Sequence, residues 1–484
     1  ETLVAADASN SATPGPRRGV VYAIAPSPLR DGLIWCGTDD GLVWITRDEG
    51  AHWADVTPAA LTPWSKVGIL EASRFDPETA YAAVDRHRLD DLRPWIYRTR
   101  DGGRTWAPIT RGIPEASFVN VVREDPVRRG LLYAGTETGV YVSFDEGEQW
   151  QPLQLNLPPC SIRDIATRNN DLVVATHGRS FWILDDLTPL QQLDAKAAEA
   201  GAWLFSPRNA VRFHPAPFQG TPEPRDEPAG QNPPAGALID YVLRPRSGSP
   251  VRLEIFDPRG TLVRRWSSDD PRPGPDLQKI SSTPDWVSAL EVPEASAGMH
   301  RFVWDLRYAA PDELRARRGA SRSGVWAPPG RYAVRLTAAG RTSTAPLTVV
   351  RDPRIKASDA DLQLQFDLAR KIEAERVAVA GALARAAKLK GAAGGAAPPA
   401  AEAAATPLDE IVGTADPLLE DYQPATGIPM TLQRAATSLL RLQDAVESAD
   451  AAPTPDAVAA FSLRRDAARA ALRRFEVAAA KVQH

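Results

Sequence analysis

One stretch of ten residues, Asp85 to Pro94 (DRHRLDDLRP), gathers carboxylates, guanidinium groups and an imidazole in Asp85, Arg86, His87, Arg88, Asp90 and Asp91. Three shorter stretches are also polar and built around glycine: Thr38-Asp39-Asp40-Gly41, Thr136-Glu137-Thr138-Gly139 and Thr176-His177-Gly178-Arg179. Two carboxylates facing each other across a cleft can hydrolyse a glycosidic bond, one as acid and one as base or nucleophile. Asp85, Asp90 or Asp91 opposite Asp39 or Glu137 would supply such a pair. His87 and His177 are candidate proton donors or ligands. Asp39 and Asp40 offer carboxylate to a cation or to sugar hydroxyls, although adjacent residues diverge in a turn. Acidic residues and glycine also make good turns without any further role. No catalytic residue is assigned on this ground, and no metal or cofactor is expected.

The elements that position these residues are betrayed by an internal repeat. TRDEGAHW (Thr46 to Trp53), TRDGGRTW (Thr99 to Trp106) and SFDEGEQW (Ser143 to Trp150) share the pattern Ser/Thr-x-Asp-x-Gly-x-x-Trp. Pro28, Pro77 and Pro126 recur through the same units. A period of 40 to 50 residues marks propeller blades. Each unit offers four short strands rich in β-branched and aromatic residues; in the third they run over about 118–124, 131–136, 140–144 and 150–153. A fourth, degenerate unit follows with strands expected at about 161–167, 172–176 and 181–184, without the repeated turn.

The turn motif itself is read as structural. Its aspartate can accept backbone N–H groups within the turn, its glycine can adopt a left-handed conformation, and its tryptophan is expected to pack under the hairpin. Asp48, Gly50, Trp53, Asp101, Gly103, Trp106, Asp145, Gly147 and Trp150 fill these places. Consecutive antiparallel turns alternate ends, so if this turn joins strands three and four, the turn between strands two and three lies at the opposite end. That puts Asp39, Asp40, Asp85, Arg86, His87, Arg88, Asp90, Asp91, Glu137, His177 and Arg179 on one rim. Long loops on a rigid scaffold are where binding residues gather, and the second unit carries the longest of them.

Composition narrows the classes of function. Of 484 residues, 57 are basic and 61 acidic, without the positive field that a phosphate backbone requires, so nucleic acid is not an expected partner. No apolar run is long enough to span a bilayer. Cys36 and Cys160 are too few for a disulfide framework and lack zinc-site spacing. No nucleophile elbow, zinc-protease motif or phosphate-cradling loop is present.

The repeated turns resemble the Asp-box, or bacterial neuraminidase (BNR) repeat, of sialidases, xyloglucanase-type glycosidases and sortilin-like sorting receptors. The chain is similar over nearly its whole length to large bacterial proteins described as sortilin-like or as BNR repeat-containing glycosyl hydrolases, through stretches such as GLIWCGTDDGLVWITRDEG and DLVVATHGRSFWILDDLTPLQQL. The resemblance implies a secreted or periplasmic protein and Asp-boxes on the periphery, away from the functional face. It also implies N-terminal propeller blades in the full-length protein, this chain being its C-terminal part. A sialidase would need an arginine cluster and a tyrosine nucleophile; the rim offers Arg86, Arg88 and Arg179 but no tyrosine. The expected function is a protein-binding scaffold that presents the rim to a polypeptide or glycan ligand. The alternative is an Asp-box glycoside hydrolase using paired rim carboxylates.

The fold expected is mainly β: a partial Asp-box β-propeller of about four blades over 1–200, a Pro-rich linker over 201–236, a small antiparallel sandwich over 237–353 and a helical region over 354–484. The sandwich looks like the immunoglobulin-like module of the same family. In the helical region, Ser358 with Asp361 suggests a capping box ahead of Leu362, Phe366, Ala369 and Ile372. An Ala/Gly/Pro tether over 391–407 follows, then a helix marked by Leu432, Ala436, Leu439 and Leu442. A third starts at Thr454-Pro455, with Val458, Phe461, Ala468, Leu472 and Phe475 inward.

Overall fold

The computed structural model describes residues 19–214, 230, 232–244, 249–271, 291–315, 323–393, 408–414 and 429–482. Residues 215–229 and 231 of the expected linker and most of the tether lie outside these residues. The chain divides into two units, Glu1–Gln192 and Leu193–His484.

The first unit is a row of antiparallel sheets in sequence order. β1 (Val21–Pro26), β2 (Ile34–Thr38), β3 (Val43–Thr46) and β4 (Ala54–Asp55) form the first. β5 (Lys66–Ala72), β6 (Ala80–Asp85), β7 (Ile96–Thr99) and β8 (Ala107–Pro108) form the second. The third holds β9 (Val119–Glu124), β10 (Leu132–Thr136), β11 (Val140–Ser143) and β12 (Gln151–Pro152). The fourth has three strands, β13 (Ile162–Arg168), β14 (Asp171–Thr176) and β15 (Phe181–Leu184), and leads into helix α1 (Thr188–Gln192). These are the strands the sequence pattern predicts, including the three-stranded last unit.

Each first strand carries a register shift at the same place: Val21/Ala23, Val67/Ile69, Gly135/Thr136 opposite Val119, and Ile162/Asp164. A bulge bends a strand and increases its twist, which suits a strand that turns against its neighbour. The apolar core lies between the sheets. One cluster joins sheets one and two through Trp35, Val67 and Tyr97; a second joins two and three through Tyr81, Ile96 and Trp150; a third joins three and four through Tyr133, Ile162 and Val174. A sheet covered on both faces has no polar side, which is why β6 (AYAAVD) is buried at every position.

The second unit holds helix α2 (Ala195–Glu199), two facing sheets and a helical end. β16 (Ala202–Leu204), β18 (Ala237–Leu243) and β21 (Gly298–Trp304) make one sheet. β17 (Ala210–Arg212), β25 (Arg341–Arg351), β24 (Gly330–Ala338), β19 (Arg252–Phe256) and β20 (Leu262–Ser267), in that spatial order, make the other. Both inner faces feed one core containing Tyr241, Trp266, Phe302, Trp304 and Tyr332. Two expectations need correction here. β16 and β17 fall where the linker was expected to begin, because three-residue strands do not stand out in a Pro-rich stretch. The sheets are also not purely antiparallel: β17 runs parallel to β25, through Ala210↔Val349 and Arg212↔Arg351.

Helix α4 (Asp359–Ala393) packs with α5 (Leu432–Val446) and α6 (Pro455–Val482) around Ile372, Leu439 and Phe475. Helix α3 (Asp312–Arg315) is a single turn between the paired strands β22 (Arg307–Ala309) and β23 (Ser323–Trp326). Ser358 and Asp361 cap α4 reciprocally: Ser358 N–H donates to Asp361 at 2.8 Å, and Asp361 N–H to Ser358 Oγ at 3.1 Å. Val458, expected inward, is exposed in the first turn of α6; Phe461 is the first buried apolar residue of that helix.

Candidate functional site

The Asp-box ends are three copies of one hydrogen-bond pattern. Thr46, Thr99 and Ser143 donate their hydroxyls to Asp48, Asp101 and Asp145 at 2.9, 2.9 and 2.7 Å. Gly50, Gly103 and Gly147 N–H groups donate back to those hydroxyls, each at 2.9 Å. The aspartates accept the N–H of His52, Thr105 and Gln149, again at 2.9 Å. The glycines stand at φ of 94°, 87° and 90°, where a side chain is strained. Donors converging on the carboxylate favour its charged form. Backbone and side-chain bonds from His52 hold Asp48 at a pKa of about 2, and those from Thr105 do the same for Asp101.

The box tryptophans differ from expectation. Trp150 is buried, whereas Trp53 and Trp106 are half-buried. Each of the last two boxes latches onto the blade before it: Trp106 Nε1 donates to the Val56 carbonyl and Trp150 Nε1 to the Ile109 carbonyl, both at 2.7 Å. Trp53 belongs to the first blade and makes no such bond among the described residues. The bond to the preceding blade is thus common to Trp106 and Trp150, and only Trp150 is fully buried as well.

At the opposite ends, the Asp39, Glu137 and His177 N–H groups make one shared bond, donating to the Val20, Phe118 and Ser161 carbonyls at 3.1, 3.0 and 2.8 Å, while the charged side chains are engaged differently from turn to turn. In the first, Val20 N–H donates to Asp39 at 2.8 Å, and Thr38 donates its hydroxyl to Asp40. In the second, Asp85 ends β6 as a buried carboxylate. It accepts the His87 N–H at 3.0 Å and meets His87 Nδ1 at 2.6 Å. The imidazole stacks on Phe118, centroids 4.9 Å apart. A 3-10 turn over His87–Leu89 ends at Asp90, which is left-handed at φ 58° with its side chain exposed. Asp91 accepts from Arg93 Nε at 2.8 Å and from Trp95 Nε1 at 3.2 Å, and lies 3.5 Å from Arg86 Nε. The bonds from Arg93 bring its pKa down to about 2. Arg86 rests over the Trp95 ring, 4.9 Å from its centroid.

In the third turn, Glu137 accepts the Ser161 hydroxyl from the start of the fourth sheet at 2.6 Å. In the fourth, His177 N–H donates to the Ser161 carbonyl at 2.8 Å, while the His177 and Arg179 side chains are exposed. The predicted rim residues thus fall into two groups. Asp39, Asp40, Asp85, Asp91, Glu137, Arg86 and His87 are engaged within their turn or with the next blade. Arg88, Asp90, His177 and Arg179 project to solvent without a side-chain hydrogen bond or ion pair among the described residues. Phe118, Trp95, Arg93 and Ser161 complete these networks and are not among the predicted residues. Trp95 and Arg93 were within reach of a sequence reading, as the residues closing the long loop. Phe118 and Ser161 carry no local signal, because the next blade supplies them.

No protein-family model matches the chain, and no curated protein matches it. Solved structures do. YCF48 from Cyanidioschyzon merolae is 18% identical with a TM-score of 0.27, over 36% of this chain and 55% of that one. YCF48 bound to D1 peptide is 16% identical with a TM-score of 0.28, over 34% and 52%. The GH74 xyloglucanase from Xanthomonas campestris is 14% identical with a TM-score of 0.26, over 68% and 38%. The chain therefore spans about half or less of the structures it matches. These are β-propeller proteins, and the repeated four-stranded antiparallel sheets of this chain fit propeller blades. At such identities and TM-scores the likeness carries nothing about activity.

Proposed function

We propose that the four-bladed row is a binding scaffold of the sortilin-like kind, presenting the rim opposite the Asp-boxes to a polypeptide or glycan that carries acidic groups. The supporting observation is the charge left over at that rim. Its buried and half-buried carboxylates already have donors, whereas Arg88, Arg179 and His177 reach solvent against the single exposed carboxylate of Asp90. Free guanidinium groups on a rigid support recognise carboxylate, sulfate or phosphate through paired N–H donors. The immunoglobulin-like reading of the facing sheets and a secreted or periplasmic setting belong to the same proposal.

The glycoside-hydrolase alternative draws less support from this geometry. A general acid needs a carboxyl that keeps its proton near neutral pH, and Asp91 is held near 2 by Arg93. The test is an array of acidic and neutral peptides together with uronate, sialylated and neutral glycans, probed with the intact chain and with an Arg88→Ala/Arg179→Ala variant. Binding should favour acidic members, weaken with salt and fall at least tenfold in the variant. Equal binding to neutral members, or a variant that binds as well as the parent, would move the site elsewhere. Turnover of aryl glycosides by the intact chain, lost in Asp85→Asn or Asp91→Asn, would favour the hydrolase instead.

A further inference from the structure

The facing sheets and the helices of the second unit have separate apolar cores. One gathers Tyr241, Trp304 and Tyr332, the other Ile372, Leu439 and Phe475, and no residue belongs to both. Tyr308 and Phe366 touch across the boundary, centroids 5.2 Å apart. A group of hydrogen bonds across it gathers on the turn between α5 and α6. There Glu447 accepts the backbone N–H of Trp326, on β23, at 2.9 Å. Asp450 meets Arg212 Nη1, at the end of β17, at 2.6 Å, and both side chains are 3% exposed. Main-chain carbonyls take part as well. His214 Nε2 donates to the Glu447 carbonyl at 2.6 Å, and Gln365 Nε2, on α4, to the Val446 and Ala449 carbonyls at 2.7 and 2.6 Å. Gln365 in turn accepts from Arg212 Nη2 at 3.1 Å.

The sheet side of this contact has the make-up of an anion site. Arg307 lies over the Trp326 ring, 4.1 Å from its centroid, Arg212 lies 5.7 Å from it, and the His214 ring packs on it at 5.0 Å. Guanidinium and imidazole groups set around one indole, with a backbone N–H among them, offer donors and positive charge to carboxylates. The charge of Glu447 reaches both guanidinium groups, together with Asp450 at Arg212 and with Asp305 and Asp444 at Arg307. The turn does not use the whole site. Arg212 Nε and Trp326 Nε1 are buried with no acceptor among the described residues. Unmet buried donors are costly, and a buried ion pair is a poor source of stability beside well-packed apolar residues. This contact is therefore built for recognition more than for strength.

We propose that the α5–α6 turn is an internal ligand: Glu447 and Asp450 fill an anion site built from Arg212, His214, Arg307 and the Trp326 N–H, and that site takes an acidic peptide of the same Glu-x-x-Asp spacing when the turn withdraws. The turn is thus an autoinhibitory contact. Being tethered, it acts at an effective concentration on the order of millimolar, which a free peptide must overcome. The two donors it leaves unmet give a competing peptide bonds that the turn does not make. The site belongs to the second unit and is independent of the rim.

The test opens the site and then offers it the same ligand from solution. Glu447→Ala/Asp450→Ala in the intact chain removes both carboxylates and leaves Arg212 without its anion, which drives the turn off. Amide hydrogen exchange over residues 323–327 should then run at least about tenfold faster than in the parent, because the Trp326 N–H loses its acceptor. Strand β24, in the core of the facing sheets, should stay as protected as before. A synthetic peptide spanning residues 443–454 should restore protection in the variant, whereas the same peptide carrying Glu447→Ala and Asp450→Ala should not. The parent should need at least about tenfold more of the acidic peptide for any response, its own turn being seated. Exchange is read at the site itself, so peptide held at the rim does not register. Unchanged exchange in the variant, no protection by the acidic peptide, or equal protection by both peptides overturns the proposal. Loss of protection in β24 overturns it as well, since the turn would then be part of the fold and not an occupant.

Discussion

The two ends of each blade obey different rules. At the Asp-box end, three turns separated by whole blades repeat the same hydroxyl–carboxylate–glycine bonds within 0.2 Å of one another. At the rim end, the first, third and fourth turns share a backbone frame, with Thr38, Thr136 and Thr176 hydroxyls each accepting an N–H within the turn, but the charged side chains differ: a hydroxyl on Asp40, an imidazole on Asp85 and a guanidinium on Asp91 in the second turn, a serine from the next blade on Glu137, and exposed His177 and Arg179 in the fourth. An end that must form the same backbone turn every time has no freedom to vary. The other end is held by its strands and can differ from blade to blade without loss of fold. This division separates the scaffold from the candidate site.

The comparison breaks most visibly if the latching tryptophans are removed. Trp150→Ala should lower the stability of the first unit by about 3–5 kcal/mol, as a fully buried aromatic deleted from a core. Trp53→Ala, half-buried and without such a bond among the described residues, should cost less than about 2 kcal/mol. Calorimetry of the intact chain would resolve both. Glycines at the two ends sharpen the contrast. Gly103→Ala places a Cβ 2.6 Å from Val56 Cβ at a φ of 87°, so clash and backbone strain together should cost about 2–4 kcal/mol. Gly178→Ala, at φ 83° with nothing within 4 Å, should cost only the strain, about 1 kcal/mol.

The pH response separates the ends more gently. Asp48 and Asp101 have folded pKa values near 2, below their ordinary range. Their contribution is therefore complete above the unfolded value of about 4 and is lost as pH falls from there toward 2. Urea unfolding followed between pH 5 and 2 should show stability falling in that window, with a shallower fall in Asp101→Asn. Stability that rises on acidification would contradict the sign.

What was legible in the sequence was local. The Asp-box bonds all lie within four residues, so side-chain chemistry and spacing suffice to read them, and strand positions follow from β-branched runs between turns. What escaped depends on neighbours far along the chain. Val21 and Val67 are the same residue at the same position, yet Val67 is buried against the sheet before it while Val21 is 46% exposed among the described residues. For the same reason the tryptophan pattern alone does not tell Trp150 from Trp53. At the candidate site, the polar character of the rim was readable, but the division into engaged and free side chains was not. Asp85 and Glu137 are satisfied by partners in a turn and a following blade, and they look no different in sequence from the exposed Asp90.

On the proposed function, the rim recognises its partner while the boxes only hold the fold. The most direct measurement takes the Arg88→Ala/Arg179→Ala variant beside Gly103→Ala and records, for each, the melting temperature and the binding to acidic peptides and glycans. The rim variant should keep its stability within about 0.5 kcal/mol and lose binding at least tenfold. Gly103→Ala should lose stability yet bind with the parent's affinity at a temperature where it remains folded. A rim variant that binds like the parent, or a box variant that stays folded but no longer binds, would contradict the claim.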